Sequence, residues 1–404
     1  MPFLNWRNKH SPDPQPANLK IDSVVFPHGN GYPDIKPESR LILGDNLPVM
    51  AALMPEFEGK INLIYADPPF FTNRKYPARI GRGEDSRKPG DWLLVDGYVD
   101  HWPDLDAYLQ FLYERLSFMV CLLAPNGTLY LHLDWHADAY ARMILDELIG
   151  TENMVNEIIW TYHGPSPIRR AFNRKHDTIL MYAKGKNYTF NVDDVREPYN
   201  PSTVRTFEAS SKAGFGKVPD LARGKVPEDW WYFPVVARLH NERTGYPTQK
   251  PQTLLERIIL ASSNPGDIVA DFFCGSGTTP LVAARNGRRF IASDRTWRAI
   301  HTTRGRLTTT HSPFNLEYDS AVSIPMEHAS GDIEVEPDSV TLHADGVDYW
   351  EVDPDWDGEI IRSTGQAVRP VRSDEIPSSI KIKTGRRVCV RWVTLEGQQF
   401  QSDI

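Results

Sequence analysis

Two short stretches of this chain carry residue types that can do chemistry. The first is Asp67-Pro68-Pro69-Phe70, which closes the apolar run Ile61-Asn-Leu-Ile-Tyr-Ala66. A carboxylate and a backbone carbonyl fixed by two prolines are pre-organised acceptors for the two N–H bonds of a planar amine. The amino nitrogen of adenine is such a group, and a poor nucleophile, because its lone pair is delocalised into the ring. Holding both N–H bonds favours the tetrahedral geometry that attack requires. Phe70 can stack on the base, worth about 1–3 kcal/mol. The competing reading is an ordinary proline turn after a strand. The second stretch is Asp271-Phe-Phe273-Cys-Gly275-Ser-Gly277, between a strand-like run and a helix-like one. Its glycines let the backbone turn tightly and approach a ligand, and the helix N-terminus behind them favours an anionic group. Asp294 ends the next apolar run, seventeen residues after Gly277. A carboxylate there can accept hydrogen bonds from both hydroxyls of a ribose. Gly-x-Gly alone also fits a mere tight turn. With Asp271 and Phe273 before it and Asp294 after it, the stretch fits an adenosyl-binding site, although it is neither a full dinucleotide fingerprint nor a P-loop.

Both stretches need a scaffold. Buried strands are expected at 40–45, 60–67, 128–133, 157–162, 177–183, 267–273 and 289–294, and helices at 46–53, 106–123, 137–149, 254–262 and 279–286. Strands alternating with helices give an α/β fold, a Rossmann-like, doubly wound, mostly parallel sheet. Residues 1–39, rich in Pro, Asn and Gly, read as an irregular arm, and 71–103 as a long loop. The expected organisation is a catalytic domain in two parts, 40–162 with the Asp-Pro-Pro-Phe motif and 246–315 with the glycine motif. Residues 163–245 are inserted between them, and an acidic, β-rich domain occupies 316–404.

The 404 residues are 40% hydrophobic and 24% charged, as in a globular protein and not a disordered one. No apolar run approaches the length of a membrane span, and the N-terminus lacks a secretory pattern. Three scattered cysteines have neither metal nor disulfide spacing, so a cytoplasmic location is expected. The net charge of −8 resides entirely in residues 321–404, whereas 160–250 carry +6. A local nucleic-acid face is therefore compatible with an acidic chain. Arg169, Arg170, Arg174 and Lys175 head that basic segment, interleaved with aromatic residues such as Phe172. The bland alternative is a solvated basic loop.

The two motifs together resemble the β-class S-adenosylmethionine-dependent DNA amino-methyltransferases, in which the target-base motif precedes the cofactor motif. Tyr246-Pro-Thr248-Gln249-Lys250-Pro251, Asn264-Pro-Gly-Asp267 and Gly44-Asp45-Asn46 match as well, and Leu131-His-Leu-Asp-Trp135 resembles a segment of the adenine-modifying branch. The resemblance spans roughly 40–310. It implies that Asp67, Pro68, Pro69 and Phe70 hold a flipped base. Asp271, Phe273, Gly275 and Gly277 would shape the cofactor loop, and Asp294 would bind the ribose. Asp45 would meet the cofactor's adenine, although a helix cap is the alternative there. Thr248, Gln249 and Lys250 would lie near the methionine end, with Lys250 against its carboxylate or, alternatively, solvated at a helix start. Residues 163–245 would recognise double-stranded DNA, with the molecule nucleoid-associated. Asp at the first motif position favours N6 of adenine; N4 of cytosine and a catalytically silent DNA-binding subunit are the alternatives. His101, His132 and His136 show no ligand spacing, so no metal is expected; the family allows a homodimer, and a separate restriction endonuclease is a possible partner.

Overall fold

The computed structural model describes residues 3–80, 93–166, 168–209, 220–237, 240–328, 332–371, 373 and 375–404. Its centre is one large sheet built from β1 (Leu19–Val25), β2 (Ser39–Leu43), β3 (Ile61–Ala66), β6 (Leu123–Leu133), β7 (Met154–Thr161), β8 (His176–Ala183), β9 (Trp230–Tyr232), β10 (Ile268–Asp271), β11 (Arg289–Asp294) and β12 (Phe314–Asp319). A separate hairpin, β4 (Arg74–Ile80) and β5 (Leu93–Asp100), stands outside that sheet. The strand order is Ile361–Ser363, β1, β12, β2, β11, β10, β3, β6, β8, β7, β9. Strands β12, β2, β11, β10, β3 and β6 pair in parallel, so their C-terminal ends share one edge. Antiparallel pairing enters at β1–β12, β6–β8 and β7–β8.

Alternation along the strands makes two cores. Ile42, Ile64, Leu129 and Leu131 pack on one face with helices α1 (Asn46–Phe57), α2 (Leu105–Leu122) and α3 (Asp138–Leu148). Leu41, Leu43, Leu63 and Tyr130 pack on the other with helices from the second half of the chain. The latter are α5 (Gln252–Ser262), α6 (Thr278–Arg285) and α7 (Trp297–Leu307), and the short α4 (Pro201–Ala209) lies in the inserted segment. Helix α2 illustrates the local logic. Asp104 caps it by accepting from Ala107 N at 2.9 Å, and Tyr108, Leu109, Leu112, Leu116 and Met119 recur at helical spacing on its buried side. Pro68-Pro69 lies one residue beyond the end of β3, because proline cannot donate to a strand ladder. The C-terminal strands enclose a third core around Val340, Trp350, Val352, Val390 and Trp392.

Four features depart from the sequence expectations. Residues 19–25 are not irregular: they form β1, whose partner β12 lies almost 300 residues away. Alternation there is broken between Ile21 and Ser23, where the register shifts and the polar Ser23 is buried while Ile21 faces out, so the pairing leaves little local signature. The supposed loop 71–103 contains the β4–β5 hairpin; Gly81, Gly83 and Gly90 lie outside the described residues. Helix α7 escapes the pattern because Arg298, His301 and Arg304 are buried on it. Their partners are carboxylates of the C-terminal module: Asp348 lies 3.0 Å from His301 Nε2 and 3.6 Å from Arg298, and Glu351 lies 3.6 Å from Arg304. That module is also tied into the main sheet, since Ile361–Ser363 pairs with β1. Among the described residues no helix is long and apolar enough to cross a membrane.

Candidate active site

The shared edge of the parallel strands opens into a cleft of about 750 Å³, within the range that takes a small-molecule ligand. Asp67 leaves β3 and the glycine loop leaves the neighbouring β10, in register through Leu63–Val269 and Ile64–Ala270. Gly44-Asp45 leaves β2, and Asp294 ends β11 beside Leu43. Motifs some 200 residues apart thus meet because adjacent parallel strands end together.

Within the cleft Asp67 and Lys250 form an ion pair through Asp67 Oδ2, their side chains only 18% and 10% exposed. Asp67 Oδ1 is buried and has no hydrogen-bond partner among the described residues. Such an atom is costly to leave unsatisfied, and its residue lines the cleft. Lys250 Nζ also stands 5.4 Å from the centre of the Phe70 ring. The carbonyl of Lys250 accepts from Thr278 Oγ1 at 3.1 Å, joining it to the first residue of α6. The other face of Phe70's environment is His132, whose ring stacks at 5.9 Å.

On the glycine side, Gly275 has φ +49° and Gly277 φ +76°, the left-handed region that glycine adopts without strain. A Cβ on Gly275 would stand 3.2 Å from the Tyr246 ring. Asp271 accepts from Phe273 N at 3.0 Å and from Thr279 Oγ1 at 2.5 Å, so it ties the two ends of the loop together. Burial pushes its carboxyl up to about 7, against the lowering effect of these bonds. Asp294 accepts from Gly275 N at 3.0 Å and from Thr296 N and Oγ1 at 2.9 and 2.8 Å. Burial raises its carboxyl as well. Burial also pushes the Cys274 thiol well up, so it stays protonated.

A family model described as DNA methylase matches residues 61–304. The chain belongs to the DNA methylase family. DNA adenine methyltransferase YhdJ of Escherichia coli K12 is 32% identical over 255 residues, covering 62% of this chain and 76% of that protein. Type II methyltransferase M.HpaI of Haemophilus parainfluenzae is 30% identical over 279 residues, covering 69% of this chain and 77% of that one. Among solved structures, TTHA0409 of Thermus thermophilus, complexed with S-adenosyl-L-methionine, is 22% identical. It covers 71% of this chain and all of that chain, with a TM-score of 0.45.

In this methylase Asp67, Pro68, Pro69, Phe70, Asp45, Thr248, Gln249, Lys250, Asp271, Phe273, Gly275 and Asp294 all line the one cleft. Gly277 does not. It starts α6, where a Cβ would fall 2.4 Å from Thr303 Oγ1, so the residue serves close packing against α7. Asp45 is a helix cap: its Oδ1 accepts from Leu47 N at 3.0 Å, and Arg115 pairs with the same oxygen at 3.0 Å. Lys250 is not solvated at a helix start but engaged with Asp67. Gln249 is spent on its own turn, accepting from Thr244 N and Oγ1 and donating to the Glu242 carbonyl. Arg169, Arg170 and Arg174 are exposed, on the segment joining β7 to β8, and Lys175 is half-buried.

Three groups escaped the sequence reading. Asp100, 1% exposed, accepts from the backbone N–H of Phe70, Phe71 and Thr72, from Thr72 Oγ1 and from Trp102 Nε1. One carboxylate thus fixes the chain directly after Pro69, where Phe71 and Asn73 take positive φ. Arg115 on α2 bonds Asn46 Oδ1 at 2.7 Å, and Asn46 donates to the Phe272 carbonyl at 2.8 Å, which couples the Asp45 turn to the glycine loop. His132 is buried between Tyr65 Oη, 2.7 Å from its Nδ1, and Asp177 Oδ2, 3.2 Å from its Nε2. Tyr162 Oη completes the chain at 3.0 Å from Asp177 Oδ1. Burial pushes the Asp177 carboxyl up, but His132, Lys250 and Tyr162 outweigh it and hold it below the ordinary value. Only the Leu131-His-Leu-Asp-Trp135 segment signalled any of this, and it did not name a partner.

Proposed function

We propose that this DNA methyltransferase moves a methyl group from S-adenosylmethionine to N6 of an adenine extruded from double-stranded DNA. The observation that carries the reading is Asp67, which lines the cleft with one carboxylate oxygen held by Lys250 and the other buried and unpartnered among the described residues. That is the acceptor an exocyclic amine requires. Pro69's carbonyl already accepts from Tyr108 Oη at 2.9 Å, so the Pro68 carbonyl is the backbone acceptor assigned to the second N–H. Phe70, held by Asp100 through its N–H and by the His132 stack, forms the surface on which the base lies.

The other wall fits the methyl donor. Left-handed glycine at 275 lets backbone approach closely, Asp294 sits at the end of β11 for a diol, and Asp45 and Phe273 line the adenine side. Thr248 and Lys250 sit between the two walls. When bound, S-adenosylmethionine supplies an electrophilic methyl carbon beside a good sulfur leaving group. Asp67 and Pro68 orient the nitrogen lone pair, and Asp67 accepts the proton that the nitrogen releases as the N–C bond forms. Asp100 and the Tyr65–His132–Asp177 chain keep the stacking surface and its acceptors in place. Exposed Arg169, Arg170 and Arg174, with Lys175, meet phosphates of the duplex, which offsets the few kcal/mol needed to extrude a base. The type II relative favours a separate endonuclease that reads the same sequence. Incubating the purified chain with unmethylated duplex DNA and methyl-labelled S-adenosylmethionine tests the reading. Label should appear in DNA; none in DNA, with the protein folded, would overturn it.

A further inference from the structure

Phe172 is 98% exposed, the most exposed of the large hydrophobic residues described. Nothing in the fold accounts for an aromatic ring held out in water, and its sequence neighbours point to what it meets. Between His163 and His176 there is no acidic residue, while Arg169, Arg170, Arg174 and Lys175 surround Phe172. The segment is anchored at the cleft. Tyr162 N donates to the Lys175 carbonyl at 3.1 Å, and Tyr162 Oη reaches Asp177 at 3.0 Å. Tyr162 and Asp177 both line the cleft wall. Phe172 lies five residues from Asp177, so it sits within about 17 Å of that wall even if the chain were fully extended. The segment is also braced near the tip. The Arg174 guanidinium lies 4.1 Å from the centre of the Trp135 ring, and the Trp135 ring packs tilted against His136, centroids 3.8 Å apart.

We propose that Phe172 is a wedge, a positioning residue that enters the DNA stack at the place the target base vacates. An apolar ring among cations suits that task. The cations hold the phosphates on either side, and the ring replaces the stacking that extrusion removes. The inference rests on the methyl-transfer reading and adds to it a residue that touches neither cofactor nor reacting atoms.

The test compares the intact chain with Phe172→Ala and Phe172→Trp on two duplexes, once sequencing of methylated DNA has located the target. In one duplex the target base is paired; in the other it faces an abasic site and is already loosened. Phe172→Ala should lose roughly tenfold or more in kcat/KM on the paired duplex and stay within about twofold on the loosened one. Phe172→Trp should retain activity on both. Equal losses of Phe172→Ala on the two duplexes, or no loss on the paired one, would overturn the wedge while leaving the methyl-transfer reading intact. An unsubstituted chain that labels neither duplex would overturn the methyl-transfer reading and the wedge with it. A 2-aminopurine at the target position gives a second readout. Its fluorescence should rise on binding the intact chain and rise much less with Phe172→Ala.

Discussion

Replacing Asp67 by alanine separates the target site from the cofactor site. In the folded protein its two oxygens differ: Oδ2 is engaged by Lys250, and Oδ1 is buried without a partner among the described residues. A hydrogen bond to a charged acceptor is worth about 1.5–3 kcal/mol, and 1.4 kcal/mol is a factor of ten. Loss of Oδ1 as acceptor therefore lowers kcat by roughly 10- to 150-fold, and the lost orientation of the nitrogen lone pair adds to that. The substitution also leaves the Lys250 ammonium, 10% exposed, without its carboxylate. Breaking a buried pair costs about 3–5 kcal/mol, so Asp67→Asn serves as the better-folded companion. A cofactor carboxylate can take up the released ammonium. Binding of S-adenosylmethionine should thus stay within a few-fold or tighten slightly in both variants. Single-turnover methyl transfer and calorimetric titration of the cofactor measure the two quantities independently. If cofactor affinity fell as far as the rate, Asp67 would belong to the cofactor site and the assignment of the amine to it would be wrong.

Changing Arg169, Arg170, Arg174 and Lys175 together to alanine should flatten the dependence of log DNA affinity on log salt by up to about 3.6, at roughly 0.9 per phosphate contact; an unchanged slope would mean these side chains face solvent and not phosphate. Asp271, its carboxyl raised by burial to about 7, binds a proton more tightly folded than unfolded. Its contribution to stability is therefore full below its unfolded pKa near 4 and declines as pH rises to about 7. Asp271→Asn should gain thermal stability relative to the unsubstituted chain between pH 4 and 7 and keep a constant difference above that; a difference independent of pH would refute the shift. Asp348 receives His301 at 3.0 Å, Arg369 Nε at 2.9 Å and Arg298 at 3.6 Å where the C-terminal strands meet α7. Asp348→Ala should cost about 3–5 kcal/mol in urea unfolding, whereas a loss below about 1 kcal/mol would show that this seam holds little.

The parallel part of the sheet was legible because its strands are short apolar runs ended by residues with plain meanings. Pro68-Pro69 stops β3, and the glycines after Asp271 turn the chain into α6. Strand β1 was hidden for the opposite reason, since its register shifts between Ile21 and Ser23, burying a serine, and its partners come from 314–319 and 361–363. Helix α7 buries Arg298, His301 and Arg304, which a hydrophobic pattern reads as a solvent face; partners far along the chain make that burial tolerable, the carboxylates of Asp348 and Glu351, the Leu395 carbonyl and the Tyr349 ring. The site shows the same division. Residues that act through their own type and their place after a strand, such as Asp67 and Asp294, stood out. Asp100, Arg115 and His132 matter through partners such as Thr72, Asn46 and Asp177, which lie 28, 69 and 45 residues away, and Gly277 serves a helix contact that no spacing announces. The tie of Ile361–Ser363 to β1 also means that deleting residues 321–404 would disturb the main sheet, so their acidic charge is better probed by substitution than by truncation.

The most direct test is the chemical identity of the product. Duplex DNA of mixed sequence is incubated with the purified chain and methyl-labelled S-adenosylmethionine, digested to nucleosides and separated by mass. N6-methyldeoxyadenosine as the labelled nucleoside, formed at least about tenfold more slowly when Asp67→Ala replaces the unsubstituted chain, is the result expected from a carboxylate poised for an adenine amine. Label in N4-methyldeoxycytidine instead would contradict the assignment of the base, and label in adenine that survives Asp67→Ala undiminished would contradict the assignment of the residue.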